Sequence, residues 1–200
     1  VAATAISLKD FVTHAIPKSV IEAMATNEIL QIVVFSLFFG LAVACSTLLG
    51  HRLGAEEYEE AWQHSQLFLL LAPIGALLVG IAVWLLQSNL LQWVGNLPGE
   101  LMGEAGQVLA IMCLGMLLKV FNMVGIVGVL RSGGDVNYSI FIDIVGMWCI
   151  GLPLAWAAVS LLGWPLSWVV AVVLLEELCK VLLVQRRIRQ RHWLKNLVMG

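Results

Sequence analysis

Charge is scarce in this 200-residue chain: Asp, Glu, Lys and Arg make up 12% of it, against 60% apolar residues and a mean hydropathy of +0.94. Soluble domains carry about twice that share of charge, so a water-soluble globular fold is excluded. Catalytic signatures are missing too. There is no phosphate-cradling glycine loop, no GxSxG and no HExxH, which excludes an ATP-driven pump or a metalloenzyme and leaves no enzyme activity to expect. The four cysteines, Cys45, Cys113, Cys149 and Cys179, fall in separate apolar runs without a CxxC pair or a Cys/His cluster. Neither a metal site nor a cofactor is expected, and the thiols read as small buried apolar groups. Nothing points to a nucleic-acid partner. The chain opens on Val1 without a basic n-region and cleavage site, as a fragment or processed piece would.

What is present is a series of long apolar runs, the mark of an integral membrane protein with the lipid bilayer as its principal partner. Five spans are expected, over about 29–50, 66–94, 105–130, 136–162 and 164–185, giving an all-α polytopic helix bundle. The first two runs hold no charge, the third holds Lys119, the fourth Asp143, and the fifth Glu176, Glu177 and Lys180. Residues 7–27 are too polar to span; Phe11, Val12, Ile16, Val20, Ile21 and Met24 suit a short interfacial helix broken near Pro17, with a disordered end as the alternative. Pro153 in the fourth run, and Pro73 with Gly75 in the second, are expected to kink their helices.

Five of the eleven basic residues (Arg186, Arg187, Arg189, Arg191 and Lys195) lie in the last fifteen positions, so the carboxy terminus is expected to be cytoplasmic. The connections 51–65 and 131–135 then share its side, bearing Arg52 and Arg131. The opposite connections, 95–104 and 163–164, have no basic residue. Trp93, Trp164 and Trp168 would mark the outer interface and Trp193 the inner one.

An ionised group at mid-membrane costs about 2.5–3.5 kcal/mol and faces protein or water rather than lipid. Lys119, with Asn122 one turn on, is therefore expected inside the bundle, either lining a cavity or pairing with a carboxylate of a neighbouring helix. Glu176 and Lys180, at i and i+4, can pair, as an interfacial charge ladder or as part of a pathway; Glu177 points elsewhere and needs another partner. Asp143 is close enough to reach Arg131, as a loop-fixing residue or a proton carrier. The tract 128–135, Gly-Val-Leu-Arg-Ser-Gly-Gly-Asp, ends the third run as a tight loop in which Arg131, Gly133, Gly134 and Asp135 are structural. In 51–61, Gly54 suits the end of one helix and Glu56, Glu57, Glu59 and Glu60 the start of the next.

Several of these motifs occur in a familiar order. His51-Arg52-Leu53-Gly54-Ala55 with its trailing glutamates, Lys119-Val120-Phe121-Asn122, the 128–135 tract, Asp143 with Trp148 and Pro153, and Glu176-Glu177-Leu178-Cys179-Lys180 make about 43–200 resemble the carboxy-terminal third of the multidrug and toxic compound extrusion (MATE) antiporters. The resemblance implies part of a twelve-span protein of two bundles that exchanges cationic or amphipathic compounds for protons or sodium, in a bacterial inner membrane. It also implies a missing amino-terminal bundle, so the chain alone is expected to be inactive. Some members hold a cation with an acidic residue near the position of Lys119, Val120 and Asn122, where this chain has no carboxylate. Residues 1–42, through Phe11-Val12-Thr13-His14-Ala15-Ile16-Pro17 and Val33-Val34-Phe35-Ser36-Leu37-Phe38-Phe39-Gly40, resemble a scaffold piece of the proton/sodium–dicarboxylate (glutamate) symporters, without their serine-rich hairpin or substrate motif. The chain thus reads as a hybrid joined within one helix. A symporter-like transporter of acidic substrates, or a non-transporting scaffold, stands as the alternative.

Overall fold

Backbone groups left open in hydrocarbon cost several kcal/mol each, so apolar runs of this length fold as helices. The computed structural model describes residues 29–89 and 99–196, with side chains over 33–89 and 102–196. Helix α1 is Ile29–Gly54, α2 Tyr58–Leu85, α3 Gly99–Met123, α4 Val136–Val145, α5 Leu152–Ser160 and α6 Leu166–Arg189. Two π-helical segments complete them: Val124–Leu130 extends α3, and Gly146–Gly151 joins α4 to α5. No strand occurs among the described residues, and the fold is an all-α polytopic membrane bundle. The interfacial segment expected over 7–27, and Trp93, lie outside the described residues.

Val1–Leu37 and Phe38–Gly200 form separate units. Of the first, the described part is the opening turns of α1. The second holds the rest of α1 and all later elements.

Four helical stretches are long and apolar enough to cross a membrane: Val33–Gly54, Tyr58–Leu85, Met102–Leu130 and Val136–Ser160. The expected fifth, α6, has the length, 24 residues or roughly 36 Å at 1.5 Å per residue. It falls short on composition because of its ionisable groups and basic last turn. Pro153 is accommodated by the wide π-turn of Gly146–Gly151, which precedes its position at the start of α5. A proline there lacks the donor for Cys149 and crowds its carbonyl, and widening the helix relieves both. Pro73 sits inside an uninterrupted α2.

The expected loop over 51–65 is far shorter than drawn, because the glutamates belong to helix ends. Glu57 N–H donates to Arg52 O at 2.9 Å and Glu56 N–H to Leu53 O at 3.1 Å, closing α1 in a Schellman motif. The left-handed residue of that motif is Glu56 (φ +62°), not Gly54. The same motif recurs after the first π-segment, where Asp135 N–H donates to Leu130 O and Gly134 N–H to Arg131 O, with Gly134 at φ +77°.

Small residues let the helices approach closely. The buried faces read Phe38, Ala42, Cys45, Leu49, Leu53 on α1 and Ala61, Ser65, Leu69, Ala72, Ala76, Gly80 on α2. A Cβ on Gly128 would lie 3.0 Å from Cys45 Sγ, and one on Gly125 would lie 2.6 Å from Val184 of α6. Cys45 is buried as expected of a small apolar thiol, whereas Cys149 is exposed, since the π-segment turns it outward. Exposed Leu70, Leu78, Trp148, Trp156 and Leu182 cover the outer faces, as a lipid-facing surface requires.

Trp193 departs from its expected interfacial place. It is fully buried, donates from Nε1 to Ile188 O at 3.3 Å, and lays its backbone on Gly133, where a Cβ would come within 1.7 Å of its carbonyl oxygen. Gly133→Ala should therefore expel the tail. We expect trypsin to cleave after Arg189 and Arg191 about tenfold faster, matching a typical overpacking cost. Gly50→Ala, with open space around its Cβ, should leave the cleavage rate unchanged. Equal rates in wild type and Gly133→Ala would refute the docking.

Candidate functional site: a polar cluster in an apolar lobe

Positions 176, 180, 184 and 188 recur every four residues and form the buried face of α6. The first two are charged. Glu176 Oε1 and Lys180 Nζ pair at 2.5 Å, and each residue is only 8% exposed. The second π-segment makes the space they occupy. A Cβ on Gly146 would meet Lys180 Cε at 2.3 Å, and one on Gly151 would meet Glu176 Oε2 at 2.0 Å. The pair is thus enclosed by backbone and is not an interfacial ladder; removal from water costs each ion several kcal/mol, which their attraction offsets.

Glu177 finds its partner on α3. Asn122, 4% exposed, donates from Nδ2 to both the Glu177 backbone oxygen and Oε2, each at 2.9 Å. Those two acceptors fix the amide orientation, and Asn122 Oδ1, also buried, accepts no hydrogen bond among the described residues. Lys119 does not share this environment. Three residues back along α3 it is exposed and makes no ion pair among the described residues, so of its two expected settings the pairing with a carboxylate is not seen there. Three residues leave Lys119 only about 60° around the helix from Asn122, at the edge of the face that meets α6 rather than on it.

Beyond the cluster, charges clamp the end of the lobe that carries the basic tail. Asp143 and Arg131 approach to 3.8 Å, both partly exposed. Asp135 accepts from Arg187 Nε at 2.6 Å and Nη2 at 3.1 Å, a bidentate pair, and Arg187 lies 4.5 Å over the Tyr138 ring. The hydrogen bond from Arg187 to Asp135 raises the guanidinium above its ordinary value. Because the folded value is the higher one, this contribution is fully present at any pH below that of free arginine and is lost only above it. Arg191 pairs with Glu59 at 2.6 Å over the Trp62 ring, and Arg52 bridges Glu57 and Glu60 at 2.5 and 2.7 Å.

Glu176, Glu177, Asn122 and Asp143 therefore sit on facing elements, and Lys119 stands apart. Sequence reasoning missed Gly146 and Gly151 as the floor of the ion pair. A signal existed in two glycines on the fourth run, the small-residue stripe that lets a helix approach bulky side chains. It also missed Glu104, whose Oε1 accepts from Leu166 N–H at 3.0 Å and caps α6 from another helix, which no local pattern marks. Lys180→Met should destabilise the lobe by about 3–5 kcal/mol because it strands Glu176, while Glu176→Leu with Lys180→Met should recover most of that loss. Denaturant melts in detergent read both; a double variant as unstable as the single one would show that the ions are not coupled.

With this geometry in hand, comparisons with known proteins place the chain. The family model described as MatE matches residues 11–157. The uncharacterized transporter YisQ of Bacillus subtilis is 26% identical over 188 residues, 92% of this chain and 41% of that protein. The probable multidrug resistance protein NorM of Halalkalibacterium halodurans is 28% identical over 130 residues, 62% of this chain and 26% of that protein. A shorter match joins 93 residues, 45% of this chain, to C4-dicarboxylate transport protein 1 of a Bradyrhizobium species at 36% identity and 21% of its length. The chain thus spans less than half the length of these relatives. No solved structure gives a significant match. A match over more than half the chain, on an all-α membrane bundle, shows that the chain belongs to the MatE family.

Proposed function

We propose that this chain supplies much of one lobe of a membrane transporter of the multidrug extrusion type, which exports cationic or amphipathic compounds in exchange for protons or sodium. The single observation that carries this reading is Lys119. A charge at the middle of a span needs protein or water beside it, yet no described residue pairs with it and its side chain is exposed. A central cavity shared with a second, amino-terminal bundle supplies that environment, and rocking of the two bundles gives alternating access. In this reading Lys119 sets the charge of the cavity wall. Glu177, with the unpartnered Asn122 Oδ1 beside it, is the candidate acceptor for the coupling ion. Asp143 fixes the loop through Arg131, and Glu176 with Lys180 holds α6 in place.

The basic end faces the cytoplasm of a bacterial inner membrane, in keeping with the excess of Lys and Arg there. In this reading residues 1–42 carry a likeness to a symporter piece, within a chain whose MatE match begins at residue 11. The partial likeness to a C4-dicarboxylate transport protein over 93 residues favours a second reading, in which the unpaired Lys119 meets an acidic substrate.

Proteoliposomes bearing the 200-residue chain alone should show no proton-driven exchange of a fluorescent organic cation, because the cavity has one wall. Exchange above that of protein-free liposomes would overturn the two-bundle requirement. Uptake of a labelled C4-dicarboxylate would favour the second reading. Sequencing the surrounding gene gives an independent check: an in-frame upstream bundle supports transport, and a stop codon there supports a non-transporting scaffold.

A further inference from the structure

The basic tail is divided in its chemistry. Arg187, partly buried, and Arg191, exposed, are neutralised by Asp135 and Glu59. Arg186 and Arg189 are exposed, and among the described residues neither takes part in an ion pair. Within α6, the separation of Arg187 from Arg186 and Arg189 follows from the helix period. The buried positions 176, 180, 184 and 188 and the exposed positions 175, 178, 182, 186 and 189 lie on opposite faces of α6, on average about 180° apart. Leu175, Leu178 and Leu182 on the outer face are 49%, 45% and 61% exposed. A shallow, open hollow of about 380 Å³ between side chains at the end of α6, lined by Leu182, Gln185, Arg186, Arg189 and Gln190, lies where the leucines give way to the arginines.

We propose that this hollow is a binding site for the headgroup of an anionic phospholipid. Its phosphate is held between Arg186 and Arg189, and an acyl chain runs along Leu182, Leu178 and Leu175. Three features favour such an occupant over a soluble anion or a protein. Two adjacent guanidinium groups, at i and i+3 on one helix face, are left without a carboxylate and match the charge and fork geometry of a phosphodiester. Gln185 and Gln190 add neutral donors for glycerol or headgroup oxygens at the rim. The leucine stripe continues in line below them, which an acyl chain can cover and a free phosphate cannot. A basic end at the cytoplasmic headgroups would also place it in the leaflet richest in acidic lipid. The proposal rests on residence in a membrane and stands whether or not the protein transports.

Native mass spectrometry of the purified chain in non-ionic detergent, titrated with phosphatidylglycerol or phosphatidylcholine, tests it. Phosphatidylglycerol should be retained in preference. Each basic residue near an acidic headgroup contributes about fivefold to binding, so Arg186→Gln with Arg189→Gln should weaken phosphatidylglycerol by about 25-fold. Lys195→Gln, which removes an exposed charge outside the hollow, should change affinity less than about twofold. Soluble glycerol phosphate in excess should not displace the lipid. Should the double variant misfold in a thermal melt, Arg189→Gln alone should weaken binding about fivefold. Equal retention of the two lipids, unchanged affinity in the arginine variants, or an equal loss in Lys195→Gln would overturn the site. Full displacement by glycerol phosphate would replace the lipid by a soluble anion. A co-purified protein lost with the arginines, without a change in lipid retention, would replace it by a protein partner.

Discussion

The Glu176–Lys180 ion pair is the interaction around which the lobe is arranged. Two ions in an apolar bundle are tolerated only if each is close to the other and shielded from hydrocarbon. Their 2.5 Å separation meets the first condition, and the backbone at Gly146 and Gly151 meets the second. Any side chain at either glycine would occupy the volume of the pair. The fourth span must therefore approach α6 with its two glycines turned inward, which the π-segment between them allows. Pro153 helps to keep that segment wide, so a residue with no contact of its own to the charges still shapes the floor beneath them.

The same logic governs the basic end. The tail after α6 folds back because Trp193 has a flat place to dock, and that place exists because residue 133 has no side chain. Asp135 then receives Arg187, and Glu59 receives Arg191, tying the turn before α4 and the first turn of α2 to the end of α6 and its tail. Surface pairs of this kind are individually weak. Joined to a buried tryptophan and a bidentate arginine, they hold three connections in one arrangement. The arginines left over face outward, and the outward face is where the lipid site lies.

Much of the fold was legible beforehand, for reasons that lie in particular residues. The uncharged runs of α1 and α2 and the abrupt Arg131–Asp135 break expose span and loop without any neighbour, since hydropathy and loop glycines act locally. The Glu176–Lys180 pairing follows from a spacing of four on one helix. Lys119 shows the limit. Its sequence position places it at mid-span, but the direction of its side chain depends on which face of α3 meets α6, and Asn122 takes that face through Glu177. Trp193 was misplaced for a similar reason: an amphipathic ring at a span end suits a headgroup layer equally well, and only Gly133 offers it a better burial.

The sequence by itself determined that the chain is a membrane protein of helices, where most of the spans run, and which groups are ionisable within them. These properties depend on transfer energies and on i to i+4 neighbours, which are fixed by order along the chain. Only the tertiary structure decided that Asn122 serves Glu177, that two glycines on another span enclose the charges of α6, and that Arg187 and Arg191 of the basic tail are neutralised while Arg186 and Arg189 are left unpaired among the described residues. Those outcomes depend on the rotation of each helix about its axis. That rotation is set by close packing between residues 25–55 positions or more apart, such as Gly151 with Glu176 and Asn122 with Glu177, and no local pattern contains it.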